Sequence, residues 1–90
     1  MFAGKTVVIT GASSGLGAAL AEGVAKAGGS LALLARNAER LGAVAESCRA
    51  AGGRVVEVQG DVVDPGACES LISAALAEFS SVDYLVLNAG

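Results

Sequence analysis

Thr10-Gly11-Ala12-Ser13-Ser14-Gly15-Leu16-Gly17 is the stretch on which the reading of this chain turns. It follows Lys-Thr-Val-Val-Ile-Thr at positions 5–10, which is β-branched and almost continuously apolar, as a strand buried on both faces is. After it the period changes. Leu16, Ala19, Leu20, Gly23, Val24 and Ala27 recur at helical spacing and predict the buried stripe of a first helix. The glycines therefore fill a turn from a strand into a helix. Unpaired N–H groups and the positive end of the dipole make such a helix start attractive to phosphate. Gly11 is read as the residue that makes the tight turn, Gly15 as the one that lets a phosphate approach the backbone, and Gly17 as the one that lets helix and strand pack closely. Ser13 and Ser14 add hydroxyls and N–H groups. The absence of Gly-Lys-Ser/Thr excludes a P-loop.

The pattern repeats along the chain. Residues 31–35 form a second apolar segment, after Gly28-Gly29 has ended the first helix. Asn37 is placed to cap a second helix whose buried face is Leu41, Val44, Ala45 and Cys48, and Gly52-Gly53 ends it in the same way. Residues 55–58 make a third strand. Asp64-Pro65 starts a third helix, with Cys68, Leu71, Ile72, Ala75 and Phe79 facing inward. Residues 82–87 are the fourth strand and run into Asn88-Ala89-Gly90. Short strands alternating with helices imply parallel pairing through right-handed crossovers. The expected fold is α/β: a Rossmann-type, three-layer half of a doubly wound sheet. It has four parallel strands in the order 3-2-1-4 and three helices, two on one face and one on the other.

Bulk properties narrow the function. Ninety residues make one small domain at most. Such a chain buries only roughly 60–65% of its unfolded surface. A composition 53% hydrophobic and 17% charged is that of a folding chain, its apolar mass being Ala, Val and Leu, with Phe2, Phe79 and Tyr84 the whole aromatic set. The net charge is −3 and the basic residues are scattered, which argues against nucleic acid and acidic membrane as partners. Positions 1–5 show no secretory leader, and no stretch approaches the ~18 apolar residues of a membrane span. Cys48 and Cys68 lie in separate predicted helices without a Cys-x-x-Cys pair. They read as reduced, partly buried hydrophobes, which points to a cytoplasmic setting. Nothing in the pattern suggests a metal site.

Thr10 to Gly17 matches the Thr-Gly-x-x-x-Gly-x-Gly signature of the short-chain dehydrogenases/reductases at every fixed position. The resemblance extends through Asp61-Val62 after the third strand and Asn88-Ala89-Gly90 after the fourth, so it covers the whole chain. The end of the second strand reads the ribose of a dinucleotide: an acid binds the 2′-hydroxyl of NAD, and an arginine accepts the 2′-phosphate of NADP. Here Ala35 stands where the family's acid would be, and Arg36 follows it, with Arg40 one helical turn further on. A guanidinium can grip the phosphate in two places, so NADP(H) is the expected cofactor and NAD the lesser alternative. The family often carries a basic residue just before the second glycine of the loop, and this chain has Ser14 there. The resemblance implies that Asp61 and the backbone of Val62 hold the adenine, and that Asn88, Ala89 and Gly90 lie beneath the adenosine ribose and brace the central strands. The common form has two asparagines. Here Leu87 replaces the first and leaves Asn88 as the side chain that ties the loop down. The expected binding set is thus Gly11, Ser13, Ser14, Gly15, Leu16, Gly17, Arg36, Asp61, Val62, Asn88, Ala89 and Gly90.

The catalytic part of that family's pattern is not found. It uses a Ser together with Tyr-x-x-x-Lys on a helix, all beyond the Asn-Ala-Gly turn. The only tyrosine here is Tyr84, with Asn88 four residues on; the lysines are Lys5 and Lys26, and there is no histidine. Residues 1–90 are accordingly read as a partial dinucleotide-binding domain, cut after the fourth strand and catalytically silent alone. The alternatives are a free-standing, non-catalytic nucleotide-binding module, monomeric or homodimeric, and an inert fragment with no function of its own. Val-Asp-Tyr-Leu-Val-Leu would leave an apolar edge strand, which invites pairing. Light scattering of the purified chain is expected to show association through this edge or a marginal fold. A monodisperse monomer with a cooperative unfolding transition would count against that expectation.

Overall fold

The computed structural model describes residues 2–88. Ala89 and Gly90, both in the expected binding set, lie outside the described residues. Seven elements alternate in chain order: β1 (Thr6–Thr10), α1 (Gly15–Lys26), β2 (Ser30–Ala35), α2 (Ala38–Ala50), β3 (Arg54–Gln59), α3 (Pro65–Phe79) and β4 (Tyr84–Val86). The strands form one parallel sheet in the order β3-β2-β1-β4. Val7, Ile9, Leu31 and Leu33 pack with α1 and α2 on one face. Val8, Ala32 and Leu34 pack with α3 on the other, against Ala67, Leu71 and Ala75. The strand order and the split of helices across the faces are those the sequence predicts. β1 is buried along its whole length, as its unbroken apolar run requires.

Local chemistry sets the element ends. Asn37 Oδ1 accepts the Arg40 N–H at 2.9 Å, and Asp64 Oδ1 accepts the Gly66 N–H at 2.9 Å, with Pro65 opening α3. The two Gly-Gly pairs act alike. Gly28 (φ +86°) and Gly52 (φ +102°) take the left-handed conformation that follows a helix. Gly29 N–H then returns to Val24 O, and Gly53 N–H to Cys48 O, both at 3.0 Å, so each helix closes in a Schellman motif. The second glycine of each pair is also a packing residue. A Cβ on Gly29 would lie 2.5 Å from Val24 Cγ1, and one on Gly53 would lie 2.7 Å from Ala25 Cβ. α3 ends differently, on Ser80 at φ 68°.

Two expectations are corrected. The buried line of α1 is Gly17, Ala21, Val24 and Ala25, not the stripe through Leu16, Ala19, Gly23 and Ala27. Leu20 packs at its margin, whereas Leu16 is 78% exposed. The reason is steric. A Cβ on Gly17 would lie 2.5 Å from Gly11 O and 2.7 Å from Asn88 Nδ2, so the side of the helix that lacks side-chain bulk must face the loop. Leu16 is one residue earlier and therefore about 100° around the helix, which places it outside. The second correction is β4, which pairs only over Tyr84–Val86 rather than positions 82–87. It has a single neighbouring strand, β1. Just before it, Asp83 is joined to Thr6 twice: its N–H donates to Thr6 O at 2.9 Å, and its carboxylate, rather than a backbone carbonyl, accepts the Thr6 N–H at 2.8 Å.

Among the described residues, no helix is long and apolar enough to cross a membrane. Tyr84 sits in β4 edge-to-face with Phe2, the ring centroids 5.7 Å apart.

Three substitutions test these assignments by urea unfolding. Gly17→Ala is expected to cost about 1–3 kcal/mol, because a backbone oxygen and the partly buried Asn88 amide must move for one methyl group. Gly15→Ala, which meets nothing within 4 Å, is expected to change stability by a few tenths of a kcal/mol at most, and in the stabilising direction. Ser80→Gly is expected to stabilise the chain by about 0.5–1 kcal/mol by relieving the left-handed serine. Equal effects of the two glycine substitutions would refute the assigned packing of Gly17.

Candidate functional site

The C-terminal ends of the parallel strands all point to one side of the sheet, and the loops that leave them enclose an open groove of about 850 Å³. Gly11, Ser13 and Ser14 bound it after β1, Arg36 and Asn37 after β2, Asp61 and Val62 after β3, and Asn88 after β4. This is the volume range of small-molecule sites, and its position at the carboxyl edge is where open α/β sheets bind ligands.

The loop after β1 is organised around one oxygen. Gly11, at φ +64°, makes the turn. Its carbonyl accepts from Ser14 Oγ at 3.1 Å, from Asn88 Nδ2 at 3.1 Å and from the Ser14 N–H at 3.4 Å. Asn88 Nδ2 also reaches Ser14 Oγ at 3.4 Å, and the Asn88 N–H donates to Thr10 Oγ1 at 3.1 Å. The loop is tied to β2 as well, through the Ala12 N–H on Leu34 O at 3.1 Å. Because Ser14 turns its hydroxyl back onto Gly11, no side chain caps α1, whereas Asn37 and Asp64 cap α2 and α3. The first-turn N–H groups of α1 therefore have no side-chain partner, which is the arrangement that accepts an anion.

On the opposite wall, parallel register sets the charges. Ala35 pairs with Gln59, the Gly60 N–H donates to Ala35 O at 3.0 Å, and Gln59 Nε2 donates to Arg36 O at 3.1 Å. Gly60 also lets α3 pack close to this strand end, since a Cβ there would lie 2.8 Å from Ala67 Cβ. Arg36 and Asp61 thereby face each other, with Nη1 and Oδ2 4.0 Å apart. Asp61 Oδ1 accepts the Val63 N–H at 3.1 Å, so the carboxylate is fixed in its own turn. Arg40 lines the groove from the first turn of α2.

Of the residues singled out in the sequence, Gly11, Ser13, Ser14, Arg36, Asp61, Val62 and Asn88 line this groove together. Gly15, Leu16 and Gly17 lie in the first turn of α1 and do not line it. The reading of the sequence missed Asn37, Gly60 and Val63. Asn37 was legible only as a cap, and the other two enter through strand register. Neither cysteine faces the groove. Cys48 is buried between helices, where burial first and Glu22 second push its thiol up, against Arg49. Cys68 donates to Val62 O at 3.4 Å from beneath the loop. Among the described residues, no group of three potential ligands could hold a metal ion.

The sequence model of the short chain dehydrogenase family matches residues 5–90. The chain is 46% identical over 88 residues to 11-beta-hydroxysteroid dehydrogenase-like 2 of Arabidopsis thaliana, covering 97% of this chain and 29% of that protein. Its fold superimposes on L-sorbose reductase from Gluconobacter frateurii, solved with NADPH and L-sorbose, with a TM-score of 0.91 and 43% identity, over 99% of this chain and 34% of that one. It also superimposes on an NAD+-bound xylitol dehydrogenase, with a TM-score of 0.87 and 31% identity, over 93% of this chain and 32% of that one. The chain thus spans about a third or less of the proteins it resembles here, and relatives holding either nicotinamide cofactor share its fold. Its matching sequence, sheet order and loop geometry make this chain a member of the short-chain dehydrogenase/reductase family, whose members are oxidoreductases that bind a nicotinamide dinucleotide.

Proposed function

We propose that residues 1–90 form the adenosine-binding half of an NADP(H)-dependent short-chain oxidoreductase. The observation that carries this reading is the groove itself. An uncapped helix N-terminus stands on one side, and Arg36 with Arg40 on the other, with Ala35 where an NAD-selecting acid would repel a phosphate. In this reading the first-turn N–H groups at Gly15, Leu16 and Gly17, with Ser13 and Ser14, take the pyrophosphate. Arg36 takes the ribose 2′-phosphate, and Asp61 with the Val62 backbone takes the adenine. Asn88 holds the floor. The cofactor, when bound, supplies or accepts hydride at its nicotinamide ring.

These residues bind and orient, and none of them supports proton transfer to a carbonyl. Tyr84 packs edge-to-face with Phe2, Lys5 immediately precedes β1, and Lys26 ends α1. We therefore propose that the chain by itself turns over no substrate. Its cysteines are free thiols, in keeping with a cytoplasmic setting. The exposed Tyr84, Leu85 and Leu87 at the β4 edge support self-association of the isolated chain.

Calorimetric titration with NADPH and NADH tests the reading. NADPH is expected to bind more tightly, and Arg36→Ala to reduce that preference by about tenfold or more, as the loss of a charge-assisted phosphate contact does. Equal affinity for the two cofactors, unaffected by Arg36→Ala, would overturn the assignment of the 2′-phosphate.

A further inference from the structure

We infer that Asp61 tempers the groove's discrimination between a ribose 2′-phosphate and a ribose 2′-hydroxyl, by occupying Arg36 and by repelling the phosphate that approaches it. The inference rests on the cofactor reading above and adds to it a second specificity-determining residue.

Asp61 is the one carboxylate in the wall of the groove, and it faces Arg36 rather than Arg40. The pairing follows from the backbone. β2 and β3 run in register up to Ala35 and Gln59, so Arg36 falls beside Gly60, and Asp61, one residue further on, comes within reach of the Arg36 guanidinium. The Gly60 N–H and the Gln59 side chain then fasten the two strand ends together. The carboxylate is not free to swing aside, because Oδ1 holds the Val63 N–H and Asp61 O holds the Asp64 N–H at 2.9 Å. Arg36, by contrast, is 79% exposed on a flexible stem. A pair this exposed and 4.0 Å apart is weak, worth no more than about fivefold in an equilibrium constant. A phosphate can therefore displace the carboxylate from Arg36. The displaced negative charge nonetheless stays within a few ångströms of an incoming dianion. A neutral ribose hydroxyl meets no such repulsion. Arg36 and Arg40 thus favour the phosphorylated ribose, and Asp61 subtracts from that preference.

The test is the ratio of NADH to NADPH dissociation constants, read by calorimetry for the unchanged chain and for Asp61→Asn. Asparagine keeps an oxygen for the Val63 N–H and for an adenine amino group, so loop and adenine contacts cancel in the ratio and only the charge is removed. The preference for NADPH is expected to rise about threefold, through tighter NADPH binding, and the rise to shrink in high salt. Asp61→Ser, which also keeps an acceptor for that N–H, is expected to give the same rise and guards against a folding defect peculiar to one variant. An unchanged or smaller ratio in both variants, with Arg36→Ala still lowering the preference, overturns the role of Asp61 and leaves the cofactor reading standing. No binding of either nucleotide overturns both.

Discussion

The carbonyl oxygen of Gly11 is the point on which the site depends. It accepts from three donors, two belonging to Ser14 and one to Asn88. Through them the ends of β1 and β4, the turn between β1 and α1, and the first turn of α1 become one rigid piece. Thr10 Oγ1 adds a second tie to the Asn88 backbone. An oxygen left unsatisfied in such a place would cost about 1–3 kcal/mol. Gly17 must stay bare for the tie to form, because a Cβ there would stand where both Gly11 O and Asn88 Nδ2 already are. That constraint fixes the rotation of α1 and hence which residues of the helix face the sheet.

The sheet around this point is asymmetric. At the β3 side, Arg49 reaches across to Glu57 at 3.1 Å and to Val55 O at 3.2 Å, while Arg54 reaches Glu78 at 3.9 Å and lies over the Phe79 ring at 5.3 Å. The long arginine stems cover apolar surface and the charges guard an exposed strand, a common means of keeping an edge from pairing. Among the described residues the β4 side has no such guard: Tyr84, Leu85 and Leu87 are about half exposed or more. Burial therefore concentrates in β1 and β2, which have a strand on each side and helices above and below. The groove draws three of its walls from the loops after β1, β2 and β4, so its geometry rests on the well-packed centre of the sheet as well as on its lightly held margin.

The sequence was legible wherever structure obeys a local code. Asn37 and Asp64 cap, Pro65 opens a helix, and Gly28 and Gly52 end helices, because each acts on backbone groups within a few residues of itself. Strand order followed from alternation and crossover handedness. What escaped were features decided by distant partners. A hydrophobic stripe through Leu16 looked better than one through Gly17 and Ala21, since periodicity scores bulk while this interface selects for its absence. The length of β4 escaped because Val82 and Leu87 look like strand residues, but the Thr6 N–H bonds the Asp83 carboxylate and not a backbone carbonyl of the neighbouring segment. The Arg36–Asp61 pair escaped because the two residues are 25 positions apart in sequence and meet only through strand register.

The same contrast between local and distant control separates the two helix starts that flank the groove. α2 is satisfied by its own Asn37, whose side-chain oxygen takes the Arg40 N–H and so leaves the end of that helix little need of a ligand. The equivalent residue of α1, Ser14, has been recruited by the Gly11 carbonyl and by Asn88. Its hydroxyl helps to build the loop, and the positive end of α1 is left to whatever enters from outside. An anion at α1 would face the dipole without a competing side-chain acceptor, whereas an anion at the β2 side must contend with Asp61 for Arg36. The groove is therefore more permissive toward negative charge at the glycine loop than at the arginine. That gradient suits a ligand whose diphosphate is constant and whose second charge is the feature to be discriminated.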